Sequence, residues 1–246
     1  MLLKNKNILI TGAGKGIGLS SVNCFINNGA YVYALIKDRK DNNKFLNLKN
    51  LKIYNGDVND LKLIKKILIN SKRNKKTINC LVNNAGIRFR KKFLYIKKNE
   101  LLNVFNTNFF SIFSIMQLFS KFVINQKVNG SIVNLASIVG QIGFDELSGY
   151  AASKGALIAL TKSFSSEMSR YGIRANTISP GFTKTSYYEN FKKNKKKLYN
   201  WTLSRIPLKR WATPEEISEI IAFMLSNKSN YIQGENINVD GGWLSS

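Results

Sequence analysis

Asn7-Ile-Leu-Ile-Thr-Gly-Ala-Gly-Lys-Gly-Ile-Gly18 is the stretch that decides the fold. Three apolar residues end at Thr11 and give way at once to a glycine-rich turn, which opens an apolar helical pattern. Strand, glycine turn and helix in that order aim backbone N–H groups and the positive end of a helix dipole at a pyrophosphate. The spacing is Gly12, Gly16, Gly18, a G-x-x-x-G-x-G arrangement, because Ile17 stands where G-x-G-x-x-G would need its last glycine. Outward from this point apolar β-like runs alternate with helical patterns. Strands are expected at 7–11, 31–36, 51–54, 78–82, 131–136, 174–179 and 236–239, and helices at 16–28, 60–71, 100–126, 148–171 and 214–226. Such alternation predicts an α/β fold, a doubly wound, seven-stranded parallel sheet with helices on both faces. Gly29 and Gly172 sit where C-terminal caps belong, and Thr213-Pro-Glu-Glu216 reads as a helix start.

No linker, repeat or low-complexity tract divides the 246 residues, and 44% apolar residues suffice for one core, so a single domain is expected over 1–246. The one long irregular stretch, 182–212, is expected to be a lid. The helix over 100–126 carries Phe105, Phe109, Phe110, Phe113, Phe119 and Phe122 nearly all round, so it needs a cover beyond the sheet, and a partner subunit is the expected one. No run of 18 apolar residues and no signal-peptide pattern is present, so a cytoplasmic protein without membrane attachment is expected. The absence of histidine excludes a serine–histidine triad and imidazole metal ligation. Two cysteines, Cys24 and Cys80, fall in a helix and a strand and suggest neither a disulfide framework nor a metal site.

The net charge of +24 raises a polyanion-binding alternative. The lysines, however, are spread along the whole chain together with Asn and Ile, whose codons share A/T richness, so compositional drift is the preferred reading and nucleic acid is not the expected partner.

Two segments suggest chemistry. Tyr150 and Lys154 lie four apart in the fourth helical pattern and therefore on one face, and Ser137 ends the preceding strand. A free tyrosine titrates near ~10, and a lysine cation 4 to 5 Å away at an effective dielectric of ~20 favours the phenolate by roughly 3 to 4 kcal/mol. A phenol so placed can exchange a proton with an alcohol or carbonyl oxygen. At the end of the second strand, Ile36 stands where an acid would bind ribose hydroxyls, while Lys37 follows it and Lys15 lies in the glycine loop. Both cations can bond a 2′-phosphate, so NADP(H) is favoured over NAD(H), with Asp38 the dissenting residue.

Taken with Gly56-Asp-Val58, Asn83-Asn-Ala-Gly86, Thr107-Asn108, Pro180-Gly181 and Val239-Asp-Gly-Gly242, these residues closely resemble the short-chain dehydrogenases/reductases, nearest in type to the 3-oxoacyl-acyl carrier protein reductases, from about residue 6 to residue 243. The resemblance implies a Rossmann-type fold, a homotetramer and no metal. It also implies that Gly12, Lys15, Gly16, Ile17, Gly18 and Lys37 hold the cofactor, that Asp57 and Val58 hold its adenine, and that Asn84, Ala85 and Gly86 line the adenosine ribose. Pro180, Gly181, Thr183 and Thr185 would approach the nicotinamide carboxamide and diphosphate. Tyr150 would be the general acid, Ser137 would donate to the substrate oxygen, Lys154 would bind the nicotinamide ribose and lower the tyrosine pKa, and Asn108 would hold a water relaying protons to Lys154.

The substrate is less legible. Ile138, Val139, Gly140, Ile142, Gly143, Phe144, Tyr187 and Tyr188 suggest an apolar entrance, and the lid's Lys192 to Lys197 block with Arg210 suits an acidic carrier. The expected substrate is a small-molecule or carrier-bound carbonyl. The unusually basic stretch from Ile87 to Lys92 keeps a sugar, polyol or secondary-metabolite ketone open. A non-catalytic, polyanion-binding relative is the alternative of another class.

Overall fold

Strand β1 (Asn7–Thr11) alternates its side chains between two cores, Ile8 and Ile10 to one face and Leu9 to the other, as an extended strand covered on both sides must. The computed structural model describes residues 1–45, 48–186 and 188–245; Leu46, Asn47, Tyr187 and Ser246 lie outside the described residues. Six further strands follow: β2 (Tyr31–Ile36), β3 (Leu51–Asn55), β4 (Cys80–Asn83), β5 (Gly130–Leu135), β6 (Ile173–Pro180) and β7 (Asn236–Val239). All pair in parallel in the order β3-β2-β1-β4-β5-β6-β7, with Ile10 flanked by Ala34 and Val82. The chain thus runs outward from β1 to β3, returns to the other side of β1 at β4, and continues to β7. Such a reversal opens a crevice at the carboxyl ends of β1 and β4, where ligands of open α/β sheets bind.

The helices are α1 (Gly16–Asn27), α2 (Leu61–Arg73), α3 (Lys98–Phe105), α4 (Ser111–Asn125), α5 (Ser148–Met168), α6 (Tyr188–Asn194), α7 (Lys196–Arg205) and α8 (Pro214–Leu225). Val22 and Phe25 of α1 join Ile217 and Ile221 of α8 on one face of the sheet, while Ile64 of α2, Phe119 of α4 and Leu157 of α5 close the other. Helix starts follow local chemistry. Asp60 accepts from Leu63 N at 3.0 Å to cap α2, and Thr213 and Glu216 form a reciprocal capping box with Pro214 in the first turn of α8.

Two expectations are corrected. The helix expected over 100–126 runs from Lys98 to Asn125 but is not α-helical throughout: a π turn at Asn106–Phe110 lies between α3 and α4. The apolar pattern runs through this break, so periodicity does not reveal it; what fixes it is the tertiary engagement of buried Asn108. By length and composition Lys98–Asn125 could cross a membrane, but Ile112, Ile115, Met116, Phe119 and Val123 are buried against the sheet, making it a core helix. Phe110 and Phe113 on its other side are 48% and 41% exposed.

The stretch 182–212 is not irregular but carries α6 and α7. Their rings collapse onto buried Trp211, with Phe182 at 5.0 Å, Tyr188 at 5.2 Å and Phe191 at 5.2 Å between centroids, and the indole N–H donates to Thr202 Oγ1 at 2.8 Å. The far end is fastened where the Arg210 guanidinium grips the Glu216 carboxylate through two bonds of 2.8 and 2.6 Å. Arg210 thus ties the end of this stretch to the start of α8.

Arg210, aided by the Thr213 N–H, holds the Glu216 carboxyl down at about 2. A carboxylate whose folded pKa lies below its unfolded one stabilises above the unfolded value and loses that contribution as pH falls through the folded one. Wild type should therefore melt above Glu216→Gln at about pH 6, and the gap should close as pH falls from about 4.5 towards about 2; thermal melts across that range check it.

Candidate active site

Ser137, Tyr150 and Lys154 reach one cavity of about 320 Å³, which also takes Gly16, Ile17 and Thr185 into its wall. It lies at the carboxyl ends of β1, β4 and β5. Ser137 follows β5 with extended backbone (φ −171°), and its Oγ accepts from Val139 N at 3.3 Å, starting the short turn Ile138–Gly140. That turn rests on the backbone of α5: a β-carbon on Gly140 would stand 2.8 Å from the Lys154 carbonyl carbon and 2.9 Å from Gly155 N. Only glycine lets the turn come this close, and the closeness brings Ser137 to the face of α5 that carries Tyr150 and Lys154.

Lys154 is 4% exposed, and its Nζ donates to the Leu135 carbonyl at 2.5 Å. It stands 5.9 Å from the centroid of the Tyr150 ring. No described carboxylate lies within ion-pair distance, and burial pushes its pKa down to about 8. Gly86 completes this corner, since a β-carbon there would lie 3.6 Å from Lys154 Nζ and 3.3 Å from Asn108 Oδ1.

Asn108 is fully buried inside the π turn, a rare helix geometry often found at functional sites. Its Oδ1 accepts from Ile87 N at 2.8 Å, and its Nδ2 donates to Ile87 O at 3.0 Å and to Ser153 Oγ at 3.1 Å. The amide thus clamps the loop after β4 to α5. The Asn108 side chain is engaged with protein partners on both its oxygen and its nitrogen.

The glycine loop is held from β4. Thr11 Oγ1 accepts from Asn84 N at 3.2 Å and Ala85 N at 3.1 Å, while Asn84 Nδ2 donates to the carbonyls of Thr11 and Gly12 at 3.1 and 2.9 Å. A β-carbon on Gly18 would run into the Gly12 carbonyl oxygen, so α1 can begin directly beneath the turn only with glycine there. Deeper in the sheet, Asn83 Nδ2 donates to Asn134 Oδ1 at 2.8 Å and Asn134 Nδ2 to Thr161 Oγ1 at 2.9 Å, a polar chain from β4 through β5 to α5. On the lid side, Pro180, Gly181, Thr183 and Thr185 all line the cavity, and Thr185 Cγ2 lies 3.0 Å from where a β-carbon on Gly16 would be.

Lys37, Asp57 and Val58 are not part of the cavity wall; they stand at the ends of β2 and β3. The two cations expected to be available to a 2′-phosphate both carry carboxylates. Lys15 pairs with Asp38 at 3.3 Å and Asp41 at 3.6 Å, and Lys37 pairs with Asp57 at 2.8 Å, which holds the Asp57 carboxyl below its usual range. Asp57 Oδ1 also accepts from Asn59 N and Nδ2. Asp41 and Lys44, in the 3-10 turn Arg39–Phe45, were not singled out from sequence, because nothing periodic or motif-like marks that turn.

Of the expected substrate wall, Ile138, Val139 and Phe144 line the cavity together with Leu147 and Phe182; Tyr188 packs instead into the aromatic cluster of the lid, and Tyr187 lies outside the described residues. The basic loop 87–92 is partly neutralised, Arg90 by Glu146 at 2.6 Å and Lys91 by Glu100 at 2.7 Å.

Residues 12–244 match a protein-family model described as enoyl-(acyl carrier protein) reductase. The 3-oxoacyl-[acyl-carrier-protein] reductase FabG of Thermotoga maritima is 36% identical, covering 98% of this chain and 99% of the relative. Among solved structures, a putative gluconate dehydrogenase from Agrobacterium tumefaciens superposes with a TM-score of 0.92 at 29% identity, over 99% of this chain and 98% of that one. ElxO with NADP bound gives 0.91 at 28% identity, over 98% and 99%.

Burying the Lys154 cation without a counter-ion costs stability that deprotonation relieves. A pKa lowered from 10.5 to about 8 corresponds to roughly 3 kcal/mol at neutral pH. Because the unfolded chain binds the extra proton between those values, stability rises with pH across that window. Lys154→Met should therefore melt higher than wild type at about pH 7 without ligand, and the difference should shrink by about pH 10; thermal melts at both settings test this.

Proposed function

This chain belongs to the short-chain dehydrogenase/reductase family of oxidoreductases, and from that premise we propose that it is an NADP(H)-dependent reductase converting a ketone to a secondary alcohol. The observation that carries the reading is the convergence of Ser137, Tyr150 and Lys154 on a single cavity shared with the glycine loop. The groups present suit a dinucleotide. Lys15, Gly16 and Ile17 of the glycine turn line the cavity at the start of α1, and the apolar groups of Ile17, Ile138 and Val139 share its wall with Ser137 and Tyr150.

When bound, the reduced nicotinamide supplies hydride to the carbonyl carbon. Tyr150 then gives its phenolic proton to the carbonyl oxygen while the Ser137 hydroxyl donates a hydrogen bond to the same oxygen, so the charge that develops there is met by two donors. Lys154, one helical turn from Tyr150, favours the phenolate left behind and stands ready to bond the nicotinamide ribose. Asn108 fixes the Ile87 loop against α5, and by its resemblance to the family it would also hold the water that relays protons to Lys154.

For the substrate we infer a 3-oxoacyl group on a carrier. Support comes from the apolar wall of Ile138, Val139, Phe144, Leu147 and Phe182 and from the likeness to an acyl carrier protein reductase. The second reading, a sugar-acid or polyol ketone, draws on the likeness to a putative gluconate dehydrogenase. NADP(H) over NAD(H) is supported by Lys15 and Lys37 and by a structural neighbour with NADP bound. A homotetramer would cover the exposed Phe110 and Phe113 of the central helix, and a cytoplasmic location suits such an enzyme.

Two measurements test this. Oxidation of NADPH should be fast with acetoacetyl thioesters and slow with sugar ketones; turnover with sugar ketones alone would hand the substrate to the second reading. Tyr150→Phe should lose at least about a hundredfold in rate while still binding NADPH, and full activity in that variant would remove the mechanism.

A further inference from the structure

We propose that Asp41 is a positioning residue for cofactor selection, gathering the ammonium groups of Lys15 and Lys44 beside the glycine loop so that a 2′-phosphate meets them already assembled. The inference rests on the NADP(H) reading above.

Counting lysines does not by itself explain a preference for the extra phosphate. Around the ends of β2 and β3, Lys15, Lys37 and Lys44 pair with Asp38, Asp41 and Asp57, and Arg39 and Lys40 of the same turn add two further cations. Because each of the three paired lysines already holds a carboxylate, their arrangement matters as well as their number. Asp41 is only 5% exposed, and its carboxylate takes Lys44 Nζ at 2.7 Å on one oxygen and Lys15 Nζ at 3.6 Å on the other. Lys44 Nζ also donates to the Gly14 carbonyl at 3.0 Å, and Asp41 Oδ2 lies 2.8 Å from where a β-carbon on Gly14 would be. The 3-10 turn after β2 is thereby strapped to the glycine loop some thirty positions earlier, and two flexible lysine stems are held in one place before any ligand arrives. Pre-ordering of this kind lowers the entropy lost on binding, and long lysine chains otherwise lose the most.

Asp38 is the movable member. Its side chain is 51% exposed and it shares Lys15 with Asp41. A phosphate dianion entering beside β2 competes with Asp38 for Lys15, while buried Asp41 keeps its hold from behind. Asp38 then penalises the phosphate and Asp41 supports it, although both are acids pairing with the same lysine.

Calorimetric titration of the full chain with 2′,5′-ADP and with 5′-AMP, two fragments differing in the phosphate at issue, separates the possibilities. Wild type should favour 2′,5′-ADP. Asp41→Asn and Lys44→Met should each weaken 2′,5′-ADP by about tenfold while 5′-AMP changes by less than about twofold, and Asp38→Asn should tighten 2′,5′-ADP. Equal weakening of both fragments would reduce Asp41 to a scaffold for the loop and overturn the inference, as would unchanged discrimination in Lys44→Met, the variant that leaves the buried acid in place. Wild type binding the two fragments alike would overturn the NADP(H) reading itself.

Discussion

A lysine ammonium buried with a backbone carbonyl and no counter-ion is the constraint around which the site is organised. Left in water, Lys154 would be an ordinary surface cation; enclosed, it loses its hydration, and the Leu135 carbonyl at the end of β5 accepts from it in place of water. That carbonyl is available because the parallel ladder ends there and the chain turns at Ser137. The same turn can lie on α5 only because Gly140 has no side chain. Strand end, glycine turn and helix face therefore form one mechanical unit, and moving any of them displaces the phenol–ammonium pair.

The supporting polar groups do comparable work at longer range. Thr11 and Asn84 tie the glycine loop to β4, Asn108 ties the next loop to α5, and the chain Asn83–Asn134–Thr161 ties β4 and β5 to that same helix. Asn84 is partly buried and the others fully, where an unmet donor is costly, so each bond selects one relative placement of two elements. The glycine-loop half and the half that carries Ser137, Tyr150 and Lys154 share these pegs.

Much of this was legible in the chain itself. Seven apolar runs announced seven strands to within one or two residues, apart from extra residues at their ends, because strands buried on both faces have little freedom in composition. Ser137, Tyr150 and Lys154 were visible because helical spacing and a strand terminus are local properties. What escaped depends on distant partners. The phenylalanine pattern of 100–126 gives no hint of a π turn, since Asn108 is drawn inward by Ile87 and Ser153. The lid helices are too short to establish a period and exist because their rings found Trp211. Lys15 lines the cavity and Lys37 ends β2 outside its wall, but sequence could not say that each already holds an acid, nor that Asp41 and Lys44 stand beside Lys15.

The reversal of strand order also has a temporal side. Ile8 pairs with Cys80, so the innermost strand lacks its second neighbour until that later part of the chain exists. A ribosome delivering the polypeptide amino end first releases β1 to β3 as a half-sheet with one apolar edge unpaired, then β4 with the pegs that seat the glycine turn, and only afterwards Ser137 and Tyr150. The edge of β1 left open in that interval is an aggregation hazard that ends when β4 pairs with it.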